Sequence, residues 1–179
     1  MDNGASSYRR FLDGDEAGLN EIVEMYGDNL MYFINGIVKN IEMAEDLMED
    51  TFMELLIHKH HFRGESSFKT YLFKIGRNKA LNALKRNRIY VEFDDDLEDL
   101  QKLEDTIITN EKNRHVKSAM GKLKDDYATV IHLLYFEDMS YDEIGRVMKK
   151  TNKQIKNLAY RARNSLKEIL EKEGFSYEE

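Results

Sequence analysis

The sequence predicts an all-α protein of two small helical domains, the second carrying a helix-turn-helix, joined by an acidic linker. Three observations carry that reading. The 179 residues include no proline, while the strong helix formers Leu, Met, Glu, Lys and Ala are plentiful. Apolar residues recur at helical spacing along most of the chain. Charge is also sharply segregated. The chain has 27 Lys and Arg against 34 Asp and Glu, yet residues 66–91 hold seven basic residues and no acid, and residues 144–167 hold eight and none. The rest of the chain has 12 basic residues against 34 acidic ones. Two separated positive surfaces on an acidic body point to a polyanion gripped at two places.

Composition excludes several classes. Without cysteine there is neither a disulfide framework nor a thiolate metal site. No apolar run approaches the roughly 20 residues that a membrane span requires, so no membrane insertion of its own and a cytoplasmic location are expected. Nothing in the sequence asks for a cofactor, and no catalytic constellation suggests an enzyme.

The first domain is expected over residues 8–91, with residues 1–7 small, polar and frayed. From Asp15, Leu19, Ile22, Val23 and Tyr26 mark one helix. Leu30, Phe33, Ile34, Ile37 and Val38 repeat the pattern, with a short break or kink at Gly27-Asp28 and an end at Asn40. A third helix, from about Glu42, turns Leu47, Phe52, Leu55 and Leu56 inward and shows Glu45, Asp46, Glu49, Asp50 and Glu54 on its other side. That acidic side reads either as a solvated helix face or as a docking surface for a basic protein partner. Glu54, His58 and His61 have a spacing compatible with a metal site. Lys59 among the imidazoles favours instead exposed histidines at a helix end, where imidazolium suits the dipole.

A loop from Phe62 to Ser67 leads into a helix capped by Ser66 or Ser67. Phe68, Leu72 and Ile75 open its apolar stripe, and Leu81 and Leu84 continue it. Lys74, Arg77, Lys85 and Arg88 fall within about 80° at 100° per residue, a basic ridge. Residues 92–112 are read as the linker: Glu92 to Glu111 has nine acids against the single Lys102.

The second domain is expected over residues 113–173. Val116, Met120 and Leu123 mark its first helix, and Tyr127, Val130, Ile131 and Leu134 its second. Ser140 to Glu143 and Thr151 to Gln154 both have capping-box spacing, and Ile144, Val147 and Met148 turn inward between them. The last helix is amphipathic. Ile155, Leu158, Ala159, Ala162, Leu166, Ile169 and Leu170 fall on one side, and Lys156, Asn157, Tyr160, Arg161, Arg163, Asn164 and Lys167 on the other. Helix, short turn, helix with an exposed Asn, Tyr and Arg face fits a DNA-recognition helix.

Taken together, Ala44-Glu45-Asp46-Leu47, Asp50-Thr51-Phe52, the run Phe62 to Leu72, Ile75 and Arg77-Asn78 resemble the first conserved domain of extracytoplasmic-function sigma factors. The helix-turn-helix ending in Arg161-Ala162-Arg163 resembles their second. The resemblance implies a promoter-recognition subunit of bacterial RNA polymerase, with core polymerase and promoter DNA, both duplex and melted, as partners, and an anti-sigma protein as its regulator. It places polymerase docking on Asp46, Glu49 and Asp50. It places minus-ten contacts on Arg63, Ser66, Ser67, Phe68, Lys69, Lys74, Arg77, Asn78, Asn82, Lys85 and Arg86, the loop holding a flipped base. Minus-thirty-five contacts fall on Lys153, Gln154, Lys156, Asn157, Tyr160, Arg161 and Arg163. The chain departs from the family pattern at Glu49, Tyr71, Asn82 and Leu158, and at Lys149 where the turn usually has glycine. The alternative reading, a stand-alone helix-turn-helix regulator, leaves the loop and the acidic helix without a role.

Overall fold

A computed structural model describes residues 4–91, 116 and 118–174. The chain divides into two compact units. The first contains α1 (Ala5–Leu12), α2 (Ala17–Val38), α3 (Ile41–Ile57) and α4 (Phe68–Val91). The second contains α5 (Asp125–Tyr135), the first five residues of α6 (Tyr141–Met148) and α7 (Asn152–Lys172), preceded by a helical stretch over 118–121. The expected linker, 92–112, lies outside the described residues, as does the side chain of Arg88. Among the described residues no helix is long and apolar enough to cross a membrane.

In the first unit α2 is the central element, packed against α1, α3 and α4. It buries Ile22, Tyr26, Leu30, Phe33, Ile34, Ile37 and Val38, which is the spacing its sequence displays. The expected break at Gly27-Asp28 is absent: α2 runs through it. Gly27 is buried, so packing offsets the roughly 1 kcal/mol that glycine costs inside a helix. Asn40 does not end α2 either. Lys39, at φ 56°, does that, and the Asn40 side chain caps α3 by accepting from the Met43 N–H at 2.8 Å.

Frayed residues are expected only up to Ser7, yet α1 already begins at Ala5, and the first unit begins before residue 8. Its Tyr8 and Phe11 are buried. Arg10 joins it to the following segment through Asp15 at 2.7 Å and Glu21 at 2.8 Å, and Ser7 donates to Glu21 at 2.8 Å. The hydrogen bonds from Arg10 hold both carboxyls below the usual range. Packing matters more than these exposed pairs. A Cβ at Gly18 would lie 2.3 Å from the Ser7 carbonyl oxygen and 2.8 Å from the Phe11 nitrogen, so only glycine lets the two backbones approach this closely.

In the second unit α5 and α7 pack together. Val130, Ile131 and Leu133 are buried from α5, Ile144, Val147 and Met148 from α6, and Ile155, Ala159, Ala162 and Leu170 from α7. Both capping boxes form. Ser140 Oγ accepts from the Glu143 N–H at 3.3 Å while the Glu143 carboxylate accepts from the Ser140 N–H at 2.9 Å. Thr151 and Gln154 repeat the exchange. The turn between α6 and α7 places Lys149 at φ 55°, the left-handed conformation that favours glycine.

Two glycines of α2 are predicted to respond oppositely to alanine. Gly18→Ala should destabilise the protein by about 1–3 kcal/mol through overpacking. Gly36→Ala, where a Cβ meets nothing within 4 Å, should stabilise it by about 0.5–1 kcal/mol. Urea denaturation of the two variants checks the opposite signs.

Candidate nucleic-acid interface

The residues expected to make contacts fall on three surfaces. On α3, Glu42, Glu45, Asp46, Glu49 and Asp50 are exposed. None of these five forms an ion pair among the described residues. At 100° per residue they lie within about 140° of one another. Met53, Leu56 and Ile57, also exposed, continue the same side toward the helix end. Leu56, expected inward, is 44% exposed. Glu54 leaves this face and pairs with Lys79 of α4 at 3.4 Å. The triad suggested by the spacing of Glu54, His58 and His61 therefore divides: α3 ends at Ile57, and the His58 and His61 rings stack at 4.7 Å.

The loop after α3 is braced from below by aromatic rings. Phe62 packs edge-on to Tyr8 and Phe68, each at 5.6 Å, and lies 5.1 Å from Tyr71. Tyr8 also packs on Phe68 at 4.7 Å and donates its hydroxyl to the Lys59 carbonyl. Arg63, Gly64 and Glu65 are left exposed above this cluster, with Gly64 at φ 73°. Ser67 is the cap of α4, its Oγ accepting from the Thr70 N–H at 3.2 Å. Ser66 donates to the Ser67 carbonyl at 3.2 Å.

Along α4 the described side chains divide by angle. Lys74 and Asn78 are half-buried, and Asn82, Lys85 and Arg86 are exposed. Two expected contacts are not surface groups. Phe68 is 1% exposed and belongs to the aromatic core. Arg77 is 8% exposed, because at 100° per residue it falls on the side of Phe73, Gly76 and Ala80, which are buried. The ridge is therefore Lys74, Asn78, Asn82 and Lys85, not one running through Arg77. Lys69 is half-buried, with Nζ 6.0 Å from the Phe73 ring centre.

The third surface is the outer side of α7. Lys153, Gln154, Lys156, Asn157, Tyr160, Arg161 and Arg163 are all exposed. Asn152 ties the start of α7 to that of α6, donating to Asp142 at 2.7 Å. Sequence reasoning missed the partners of Arg163. Its Nε donates to the Tyr135 hydroxyl at 2.7 Å and its Nη2 to the Tyr141 hydroxyl at 3.2 Å. These bonds, Tyr141 first, raise the guanidinium pKa further. Lys156 Nζ lies 6.0 Å from the Tyr141 ring centre. The available signal was the pair of tyrosines flanking the start of a helix-turn-helix.

Residues 22–89 match the model of sigma-70 region 2, and residues 114–166 match that of sigma-70 region 4. The chain belongs to the extracytoplasmic-function sigma factors. It is 28% identical to the sigma factor SigM of Bacillus subtilis over 84% of this chain and 94% of that protein. It is 24% identical to SigW of the same organism over 88% and 91%. The fold is that of the sigma factor RpoE of Bartonella quintana, solved with the anti-sigma factor NepR (TM-score 0.75, 24% identity, 85% of this chain and 96% of that one).

Tyr8 supplies a prediction for the brace. Burial, and then the neighbouring Tyr71, push its phenol up to about 12, whereas an unfolded tyrosine titrates near 10. The folded state therefore keeps a proton that the unfolded chain releases, and this contribution is lost as pH rises from about 10 to 12. Tyr8→Phe should flatten the alkaline fall in stability measured by urea midpoints at pH 9, 10 and 11. Parallel falls in both proteins would remove Tyr8 as the cause.

Proposed function

We propose that this chain is an alternative sigma factor that binds core RNA polymerase and directs it to promoters with two separated elements. The observation that carries this reading is the co-occurrence, in one chain matching both sigma regions, of an unpaired acidic helix face, a braced loop before a basic helix, and an exposed helix-turn-helix. A stand-alone regulator accounts only for the last.

Each surface has a chemical task in this reading. Asp46, Glu49 and Asp50 meet a basic polymerase surface, and the adjacent Met53, Leu56 and Ile57 supply area that can be desolvated. The loop around Arg63 to Ser66 offers backbone amides and a serine hydroxyl to an unstacked base. The ridge of Lys74, Asn78, Asn82 and Lys85 follows the single strand. Lys156, Asn157, Tyr160 and Arg161 meet a major groove, where phosphate contacts position the helix and base contacts specify sequence. The polymerase performs the bond chemistry, which locates the protein in the cytoplasm. Control by an anti-sigma protein extends the reading, and RpoE of Bartonella quintana offers the parallel.

Separated surfaces predict separable defects. The double variant Asp46→Lys, Asp50→Lys should weaken core binding by about tenfold or more. The double variant Lys156→Ala, Arg161→Ala should reduce promoter-duplex binding by the assembled holoenzyme by about 10–100-fold, with core affinity within about twofold. Fluorescence titration with core polymerase and filter binding of the holoenzyme measure the two. Equal losses in both assays for either variant would contradict the assignment.

A further inference from the structure

A guanidinium reads a guanine or grips a phosphate best through its two-pronged edge. In Arg163 two prongs, Nε and Nη2, are already occupied by the hydroxyl oxygens of Tyr135 and Tyr141. Arg163 therefore spends its Nε–Nη2 edge inside the domain, although it lies on the exposed side of α7, and only its Nη1–Nη2 end faces a ligand. The same bonds have a second consequence. Each phenol oxygen accepts from Arg163, so its own proton is available to donate elsewhere. Neither hydroxyl has an acceptor of its own among the described residues. Donation from a cation polarises each O–H and makes it a stronger donor. Tyr135 is 59% exposed. Lys156, whose Nζ lies near the Tyr141 ring, adds a mobile positive charge beside the pair. Asp142, the nearest acid in sequence to Tyr141, is engaged by Asn152.

We infer that Tyr135 and Tyr141, set side by side by Arg163, form with Lys156 a seat for one backbone phosphate of duplex DNA. Arg163 is a positioning residue here: it fixes the two hydroxyls and joins the recognition helix to α5 and α6, which precede it. The seat rests on the promoter-binding reading of α7 and adds to it a fixed anchor point. That anchor sets the register of Asn157, Tyr160 and Arg161 along the groove, since phosphate contacts orient a recognition helix that base contacts then use.

The test couples protein and DNA changes. Holoenzyme is assembled from core polymerase and the full chain, and promoter duplexes carry single methylphosphonates scanned across the upstream element. For the wild-type chain, neutralising one particular phosphate should weaken binding by about tenfold. In the double variant Tyr135→Phe, Tyr141→Phe, the same neutralisation should cost less than about twofold, while the cost at other phosphates is unchanged. Arg163→Lys keeps the charge but cannot hold both hydroxyls, and should lose the coupling too. Variants that weaken every duplex alike, with the coupling intact, would overturn the seat and leave a merely structural contact. Variants that change nothing would overturn it as well. A wild-type holoenzyme that binds no duplex sequence-specifically would contradict the promoter reading itself, and the seat would fall with it.

Discussion

Close packing of α7 through Ala159 and Ala162, both fully buried, fixes what the rest of that helix can do. A helix that buries small residues on one side is held close to its neighbours, and its opposite side is then presented at a defined angle. The same constraint acts on α3, where buried Ala44, Thr51, Phe52 and Leu55 leave the carboxylates outward. It acts again on α4, where Phe73, Gly76 and Ala80 face inward and leave Lys74, Asn78 and Lys85 on another side. The surfaces assigned to partners are the sides that burial does not use. Their composition is free to vary without unfolding the protein.

Much of this was legible in the sequence, and the reasons are local. A capping box occupies four consecutive residues and needs no tertiary information, so Ser140 to Glu143 and Thr151 to Gln154 could be read directly. The amphipathic pattern of α7 is long and regular, and its exposed side was read residue by residue. Helix α1 was missed because its stability is not in its own eight residues. It depends on the close approach at Gly18 and on rings supplied by Phe62 and Phe68 far along the chain. The continuous course of α2 was missed for a related reason: glycine disfavours a helix locally, and burial outweighs that local preference.

The site was less legible than the fold. Counting charges along α4 gave a basic run, but charge alone does not say which side a residue occupies. Arg77 turns inward beside Phe73, whereas Lys85 turns out. Phe68 belongs to the same motif as the loop it follows, yet it serves that loop from the core, as Tyr8 does. Arg163 carries the opposite lesson. It is exposed as expected, but one of its hydrogen-bonding edges is filled by tyrosines 28 and 22 residues earlier, a pairing that helical periodicity does not reveal.

Promoter choice by a polymerase is the property proposed for this chain. Transcription by purified bacterial core polymerase from a randomised promoter library, with and without the protein, measures it. Initiation should depend on the protein and occur downstream of two short motifs at fixed spacing. Protein-independent initiation, or sequence-specific duplex binding by the isolated chain with no effect on the polymerase, would contradict it and restore the stand-alone regulator.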